Sequence, residues 1–173
     1  KYGVEIENDP NFIFFNEFKK LYKMTMARRE AGEFYFFDDS FFKNLMKFFK
    51  KRLSLLVAKK SDKILAASLF ILTDKEMYYF LSGADEDGYL YSANNLLLYQ
   101  AVLFGKKLGK KRLILGGGRK INDSLFKFKS GFSPETKPFF IGSKIYNKSI
   151  YDNLVELCGA KSVDYFPQYR YNN

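Results

Sequence analysis

The sequence contains no histidine, and Cys158 is its single cysteine. Without imidazole, a Ser-His-Asp or Cys-His nucleophilic arrangement and any histidine acid-base step are excluded. A structural zinc site lacks its usual ligands, so no metal site is predicted. One cysteine cannot form a disulfide within the chain, which fits a reducing compartment, and we predict a cytoplasmic location. Chemistry must then depend on Lys, Arg, Tyr, Asp, Glu or backbone groups.

Long apolar runs are also missing. The longest fall well short of the roughly 18 to 20 residues that a membrane span requires. Hydrophobic residues nevertheless make up 47% of the chain and aromatic residues 19%, which is too apolar for a disordered protein. We predict a soluble globule with one domain over residues 1–173, because 173 residues suit a single core. The chain begins with Lys1 rather than Met, so we expect it to be excised from a longer protein.

Acidic residues are scarce relative to basic ones. The chain has 29 Lys and Arg against 19 Asp and Glu, which gives a net charge of +10. A field of this sign attracts the phosphates of nucleic acids, nucleotide cofactors or anionic lipid headgroups. Many lysines, including Lys43, Lys47, Lys50 and Lys51, follow the polar side of a predicted helix, a pattern typical of solvated surface. The charge alone therefore names no partner.

Apolar spacing predicts two helices in the first 50 residues. Asp9 and Pro10 are interpreted as the N-cap and first residue of a helix of about five turns. Gly32 ends it, and residues 38–40 offer the cap of a second helix. That second helix has an apolar face opposite the lysines, made by Phe42, Leu45, Met46 and Phe49.

From Leu53 onward, the sequence consists of short apolar runs separated by polar turns. The runs LSLLVA, ILAASLFIL and MYYFLS predict three antiparallel strands. An acidic loop from Gly83 to Gly88 leads to an apolar helix that Ser92 caps and Gly109 ends, followed by the strand RLILGGG. A short helix starting at Asp123, a strand KPFFIGSKIYN and a last helix capped by Asn147 or Ser149 complete the chain. This order predicts an α/β (α+β) mixed sheet, an antiparallel meander followed by a parallel crossover, with helices on both faces.

Four motifs follow one another along the chain: LYKMTMARREAGEFYFF, YYFLSGADE, SANNLLLYQAVLFGKKLGKKRLILGGG and DSLFKFKSGFSPE. Together with the order of elements, these motifs resemble the GNAT acyltransferase superfamily. Within it they resemble the Fem-like branch, whose best-known members build peptidoglycan cross-bridges from aminoacyl-tRNA. The resemblance covers roughly residues 15 to 157 and implies the second, C-terminal GNAT-like domain of a two-domain protein, so that a preceding GNAT-like domain is an expected partner.

The resemblance suggests where chemistry occurs. GNAT-like folds align donor and acceptor where two parallel strands splay apart, here Met77–Ser82 and Arg112–Leu115, and proximity is then the main catalytic effect. Lys129 matches the signature lysine of the family, which implies a position near the developing charge or the leaving group. A surface lysine between core phenylalanines is the alternative. Lys127 faces differently on the same helix and is the weaker candidate.

Tyr79 is the second catalytic candidate, because strand alternation sends it opposite to Tyr78 and Phe80, towards the cleft. One of the two tyrosines should belong to the core. Gly116, Gly117 and Gly118 permit positive φ and leave backbone N–H groups that an anion can meet, with Arg119 beside them. A simple turn explains the same glycines.

Four more polar residues are candidate substrate-binding groups, together with one aromatic residue. Arg28 and Arg29 end the first helix, where cations also suit the helix dipole. Resemblance to family contacts with an anionic precursor adds Tyr35. Asn94 and Asn95 open the apolar helix, where they either hold a polar substrate or act as ordinary caps.

Three functions follow as hypotheses. The first is a Fem-like transferase that moves an acyl or aminoacyl group onto an amine such as a peptidoglycan precursor, an anionic acceptor met at the inner membrane surface. Its donor is aminoacyl-tRNA, with tRNA as partner and no permanently bound cofactor. The acidic loop of Asp85, Glu86 and Asp87 favours this donor, because the carboxylates would repel the pyrophosphate of coenzyme A. The second is an acyl-CoA-dependent N-acetyltransferase acting on a small amine, peptide or sugar. The third is a non-catalytic domain that binds RNA or another anion.

Overall fold

A computed structural model describes residues 3–118, 123–160 and 164–171. The chain forms two compact units, Lys1–Pro134 and Glu135–Asn173. One domain over residues 1–173 stays a prediction. No helix in the described ranges is both long enough and apolar enough to cross a membrane.

The first unit contains a sheet with helices packed on it. Its strands are β1 (Glu5–Asn8), β2 (Leu53–Lys60), β3 (Lys63–Leu72), β4 (Glu76–Ala84) and β5 (Arg112–Ile114). Its helices are α1 (Phe15–Arg28), α2 (Asp39–Phe49), α3 (Glu86–Leu90), α4 (Ala93–Lys107) and α5 (Ser124–Ser130). Short 3-10 turns occur at Glu33–Tyr35 and Lys50–Arg52.

The sheet has the order β1-β2-β3-β4-β5. The first three pairings are antiparallel, and β5 lies parallel to β4. A parallel neighbour requires a crossover, which α4 supplies. The three central strands are the apolar runs of the sequence, and the predicted mixed sheet is confirmed.

Each face of the sheet carries its own core. On the α1 face, helices α1 and α2 bury residues that include Phe18, Tyr22, Phe42, Leu55 and Leu69. On the α4 face, the crossover helix buries residues that include Leu56, Phe70, Met77, Leu97 and Leu98. Full burial of a side chain of this size contributes about 1.5–3 kcal/mol. Helices therefore cover both faces, as predicted.

The sheet register defines two ends of β4. Leu53 of β2 pairs with Ile71 of β3, and Glu76 of β4 pairs with Arg112 of β5. The Lys50–Arg52 turn, the β3–β4 turn and the C-terminus of α4 thus lie at the amino end of β4. The β2–β3 turn, α3 and the start of α4 lie at its carboxyl end.

The first helix begins later than predicted. Asp9 and Pro10 precede a turn, in which Phe12 has a φ of +58°, and α1 starts at Phe15. The buried Asp9 carboxylate accepts a hydrogen bond from the Phe14 N–H at 2.8 Å. The Asp9 carboxylate thus binds a free N–H near the start of α1, five residues further along the chain. Asp9 does not occupy the N-cap position, which belongs to Phe14, so the prediction that Asp9 is the N-cap is wrong. Strand β1 was not predicted either, because EIEN shows neither an apolar run nor a turn signal.

Two further differences concern exposed or acidic segments. Asp38, one of the three residues predicted to offer a cap, caps α2 by accepting from the Phe41 N–H, but Phe49 of the expected apolar face is 45% exposed. The segment predicted as an acidic loop contains α3, because Asp85 caps it by accepting from the Gly88 N–H at 2.7 Å. Gly109, with a φ of +72°, follows the end of α4 as predicted.

The second unit lacks the predicted strand. Residues 138–146, which include the apolar run Phe139–Ile141, have no strand pairing and are exposed. Apolar content suggested a strand there, but a strand needs a neighbour and this segment has none among the described residues. Asn147 caps α6 (Lys148–Leu157) by accepting from the Ile150 N–H at 3.0 Å, as one of the two predicted caps. A 3-10 turn at Gln168–Arg170 follows, and the Gln168 N–H donates to the Tyr151 hydroxyl.

Candidate active site

The sheet opens between β4 and β5. Their parallel pairing ends at Tyr78 and Ile114. Strand β5 stops there, whereas β4 continues to Ala84. In the described part of the chain, the edge of β4 beyond Tyr78 that faces β5 therefore has no strand partner. The opening falls between the two segments predicted to splay apart, Met77–Ser82 and Arg112–Leu115.

A bulge in β4 sets which side chains reach the α4 face. Leu69 of β3 pairs with Leu81, but the next residue, Phe70, pairs with Tyr79. Phe80 is the extra residue. Tyr79 consequently packs in the α4-face core, whereas Leu81 packs in the α1-face core. A bulge of this kind commonly re-aims a side chain near a functional site.

Tyr79 is held in a polar niche within that core. Its ring lies 5.7 Å from the Phe70 ring, measured between centroids. The Oγ atoms of Ser68 and Ser82 are 2.8 Å apart in the strands below it. Burial raises the pKa of Tyr79, and side-chain hydrogen bonds with Ser82 and Ser68 lower it by less. The phenol therefore keeps its proton at neutral pH. Tyr78 is 36% exposed, so Tyr79 is the tyrosine that belongs to the core.

Lys129 lies beside Tyr79. Asp123 caps α5 by accepting from the Phe126 N–H at 2.7 Å, as predicted, and this short helix carries Lys129. The Lys129 Nζ donates to the Gly117 carbonyl at 2.8 Å and lies 5.8 Å from the centroid of the Tyr79 ring. Burial lowers the pKa of Lys129, and the charge of Asp123 raises it by less. The two predicted catalytic residues are thus neighbours in space.

The turn formed by Gly116, Gly117 and Gly118 positions the Lys129 side chain. Gly116 has a φ of +70°, and a Cβ there would lie 3.7 Å from the Lys129 Nζ. A Cβ on Gly118 would lie only 2.0 Å from Asp123 Oδ1, so a larger residue would displace the helix cap. The Gly117 carbonyl, rather than an N–H, makes the contact with Lys129. Arg119 lies outside the described residues. Lys127 is exposed, and its carbonyl accepts from the Ser130 hydroxyl.

The predicted arginine residues lie at the carboxyl end of β4. Arg28 donates to the Ala84 carbonyl at 2.7 Å, and its guanidinium lies 4.5 Å from the centroid of the Tyr89 ring. Arg29 lies 5.8 Å from the same ring. Thr25, a residue that sequence reasoning missed, both accepts from the Ala84 N–H and donates to its carbonyl. Arg28 is therefore the arginine that is tied to β4.

Tyr35 belongs to the α1 face. Its carbonyl accepts from the Tyr22 hydroxyl at 2.8 Å, and Tyr22 is part of the α1-face core. Burial, with a smaller effect from Tyr35, raises the pKa of Tyr22 to about 12. The structure does not bring Tyr35 together with Tyr79, which packs on the opposite face of the sheet.

The N-terminus of α4 is open. Ser92 occupies the cap position with a φ of +53°, and its side chain makes no capping hydrogen bond. Within the described residues, the N–H groups of Ala93 and Asn94 have no acceptor, and the buried Asn94 Oδ1 has no partner. Asn95 is exposed. An uncapped helix start of this kind has N–H groups available for an anionic group.

The nearby carboxylates are already engaged. Lys63 Nζ lies 2.7 Å from Asp85 Oδ2 and 2.6 Å from Asp87 Oδ2. The sequence interpretation placed these residues directly before the crossover helix, where they would repel a pyrophosphate. In the structure they begin the separate helix α3, and Lys63 partly neutralises them.

Ser68 and Ser82 were also missed by sequence reasoning. The signal was present, since a serine stands inside the apolar run ILAASLFIL and another ends the run MYYFLS. A hydroxyl buried in a strand needs a partner, and two such strands predicted as neighbours suggest one.

Comparison with known proteins gives one family and a group of structures. A family model described as an acetyltransferase (GNAT) domain matches residues 5–130. No curated protein sequence matches the chain. Similar solved structures include an aminoglycoside acetyltransferase from an uncultured soil metagenomic sample, in complex with sisomicin. It has a TM-score of 0.62 and 14% identity, and the match covers 84% of this chain and 97% of that one.

Two other solved structures are comparable. A putative acetyl transferase from Pyrococcus furiosus has a TM-score of 0.62 and 15% identity over 82% of this chain and 99% of its own. A ribosomal-protein-alanine N-acetyltransferase from Brucella melitensis has a TM-score of 0.60 and 12% identity, and the match covers 82% of this chain and 99% of that one. At such identities these likenesses show a shared fold.

Proposed function

The chain belongs to the GNAT acetyltransferase family, and from that premise we propose that it transfers an acyl group from acyl-coenzyme A to an amine. The observation that carries the proposal is the position of Lys129, next to Tyr79 and Gly117, where β4 and β5 part. Acyl-CoA, the second choice of donor from the sequence, thus replaces aminoacyl-tRNA as the first.

Two features of the site fit coenzyme A. The free edge of β4 beyond Tyr78 offers backbone hydrogen-bonding groups to an extended arm that contains amides, such as pantetheine. The uncapped start of α4 offers the N–H groups of Ala93 and Asn94 to phosphate. When bound, acyl-CoA would supply a thioester, whose carbonyl is open to attack by an amine.

The residues of this chain would then stabilise charge. Attack of an amine on an acyl carbonyl places negative charge on the carbonyl oxygen, and a positioned cation in a site shielded from water stabilises it. We propose this role for Lys129. The hydrogen bond to Gly117 and the ring of Tyr79 hold its ammonium group in place. In this proposal the carbon–nitrogen bond forms as the carbon–sulfur bond breaks, and Tyr79, which keeps its proton until then, donates that proton to the departing thiolate. The proton that the attacking nitrogen loses passes through water and restores the tyrosine hydroxyl.

Amine is the acceptor class, and the candidate binding residues Arg28, Arg29 and Tyr35 remain predictions. The soil enzyme is described as acting on aminoglycosides and the Brucella enzyme on a ribosomal-protein alanine. Both are amines, which supports the class of acceptor without naming the molecule.

The Fem-like interpretation is the competing candidate. It rests on the order of elements and on four sequence motifs, one of which contains Lys129, and it names aminoacyl-tRNA as donor and a peptidoglycan precursor as acceptor. The matching family model is the general GNAT one and gives this finer assignment no support. The engagement of Asp85 and Asp87 by Lys63 also weakens the electrostatic argument that favoured tRNA.

Ligand-induced stabilisation of the whole chain tests the donor. A ligand present at 100 times its dissociation constant stabilises a protein by about 2.7 kcal/mol, so we expect acetyl-CoA to raise the melting temperature and aminoacyl-tRNA to leave it unchanged. Asn94→Asp should reduce the shift, because a carboxylate at the start of α4 opposes phosphate, whereas the neutral Asn94→Leu should reduce it less. Stabilisation by aminoacyl-tRNA and none by acetyl-CoA would overturn the proposal.

A further inference from the structure

The amino end of β4 collects basic side chains from three separate segments. They come from the end of α2 with the turn that follows, from the β3–β4 turn, and from the end of α4 with the start of β5. Sheet register brings these segments to one end, as described above. We call this surface the basic end, and its cations are Lys47, Lys50, Lys51, Arg52, Lys75, Lys106, Lys107, Lys110, Lys111 and Arg112.

Most of these cations are uncompensated. In the three segments the acidic residues are Asp74 and Glu76, and Glu76 is bound to Arg112. Lys110 donates to the Thr73 carbonyl. The other eight cations of the basic end form no ion pair with any described residue. Of all ten, only Lys110 is not exposed. An unpaired cluster of one sign presents a positive field to solvent.

Apolar side chains protrude among the same cations. Phe48 is 69% exposed and Phe49 45%, and both adjoin the Lys50–Arg52 turn. Leu108 is 43% exposed and lies between Lys107 and Gly109. Transfer of an exposed phenylalanine ring from water to an apolar environment is favourable. A partner for this surface should therefore have an apolar layer that lies just below a negatively charged one.

We propose that the basic end docks on an anionic phospholipid bilayer, with the lysines at the headgroups and Phe48, Phe49 and Leu108 inserted just below them. A bilayer interface provides negative charge and an apolar layer a few ångströms apart. Duplex nucleic acid provides phosphates but no apolar layer to receive phenylalanine. The opening between β4 and β5 lies towards the opposite end of β4, so a docked domain leaves its candidate active site facing the solvent.

Vesicle co-sedimentation of the whole chain tests the proposal. We expect binding to phosphatidylcholine vesicles that contain phosphatidylglycerol, and little to phosphatidylcholine alone. One lysine near an anionic bilayer contributes about fivefold in affinity, so the triple variant K106E/K107E/K111E should bind about 100-fold more weakly or worse. F48S/F49S should lose about tenfold on the same vesicles, because it removes the inserted groups.

The matched control is K20E/K23E/K43E, which changes the net charge equally with exposed lysines of α1 and α2. It should retain most of the binding, and melting curves should show that all three variants fold. Equal losses in the control would reduce the effect to net charge and overturn the proposal. So would unchanged binding of F48S/F49S, or tight binding of polyuridylate with no binding of vesicles, which would identify an RNA surface instead.

Discussion

Lysine side chains at the two ends of β4 are held in different ways. At the carboxyl end, Lys63 bridges Asp85 and Asp87, and their hydrogen bonds raise its pKa well above the ordinary value. Lys129 is half-buried against Gly117, and burial lowers its pKa. At the amino end, Lys106 and Lys107 extend into solvent with no ion pair among the described residues.

The difference shows that surroundings rather than residue type decide what a lysine does. The net charge of +10 includes all of these side chains equally. Carboxylates and backbone carbonyls order the carboxyl end, where small structural changes should be costly. Apart from Lys110 and Arg112, which have partners, the charges of the amino end are solvated, so single changes among them should cost little. Substitutions at five positions, some with matched controls, test this contrast.

Gly83→Ala should have the largest effect, at the ordered end. A Cβ on Gly83 would lie 2.3 Å from the backbone carbon of Leu21, so α1 must move away from β4. We expect a loss of about 3 kcal/mol in the free energy of unfolding, at the upper end of overpacking effects, measured by denaturant titration. Gly32→Ala is the control, because nothing lies within 4 Å of its Cβ position. Equal stability of the two variants would show that α1 does not press on β4.

Lys129→Ala should lower kcat/KM by about 100-fold, because it removes the cation proposed to stabilise the developing charge. The melting temperature should change little by comparison. Lys127→Ala is the matched control on the same helix, and it should keep nearly full activity. A fully active Lys129→Ala enzyme would remove Lys129 from the mechanism.

The pH profile sharpens the same prediction. Since burial lowers the pKa of Lys129, its charge is lost at a pH below the ordinary lysine value of 10.5, and kcat/KM should fall there. Lys129→Arg keeps its charge and should lack that limb. Stability should behave in the opposite way, rising with pH between the lowered pKa and 10.5, because only the unfolded chain still holds the proton there. If activity rises instead through the pKa of Lys129, the neutral amine acts as a base.

Substitution of Tyr79 should lower kcat by about tenfold. Two variants separate the role of its hydroxyl from that of its ring. Tyr79→Phe keeps the ring beside the Lys129 Nζ but removes the hydroxyl, whereas Tyr79→Leu removes both. If the hydroxyl donates a proton, kcat falls about tenfold or more in both variants. If only the ring matters, by orienting Lys129, Tyr79→Phe keeps its rate. Steady-state kinetics at matched pH distinguishes the two.

Asp85→Ala should cost about 1 kcal/mol of stability, because α3 loses its cap at Gly88. Asp85→Asn can keep that cap while losing the charge that faces Lys63, and should cost less. Thermal unfolding of the pair measures the difference. Equal losses would assign the effect to the ion pair rather than to the cap.

Lys107→Ala should have the smallest effect, within about 0.5 kcal/mol, as expected for an exposed side chain without a partner. A loss above 1 kcal/mol in chemical denaturation would show that the basic end contributes to the fold and would break the contrast between the two ends.

Much of this fold could be predicted from the sequence, for physical reasons that differ by element. The runs at 53–58 and 64–72 are apolar on both faces and too short for buried helices, so they indicate central strands. The starts of three helices were predicted because a carboxylate or amide precedes each amphipathic segment. Asp123 was given as one start, whereas Asp38 was one of three candidate caps and Asn147 one of two. Element order then identified the mixed sheet.

Other features depend on contacts that no local pattern contains. Strand β1 exists because β2 presents an edge to it, and EIEN itself carries no signal. Residues 138–146 have strand-like composition but no neighbour to pair with. Lys129 and Tyr79 were identified separately, by resemblance and by alternation. Their proximity depends on the glycine turn, whose path a sequence does not fix.

The extra residue in β4 has a consequence for how this protein can change over time. Because Phe80 shifts the parity of the strand, Tyr79 and Leu81 occupy opposite faces although they are two positions apart. Deleting Phe80 would make the pairing with β3 regular and would leave Leu81, Ser82 and Gly83 on the faces they already occupy. The length of β4 is therefore open to natural variation at this one position, since loss of the Phe80 codon keeps the buried serine pair together. Gly83, only three residues further on, is closed even to a point substitution, because any side chain there would meet α1.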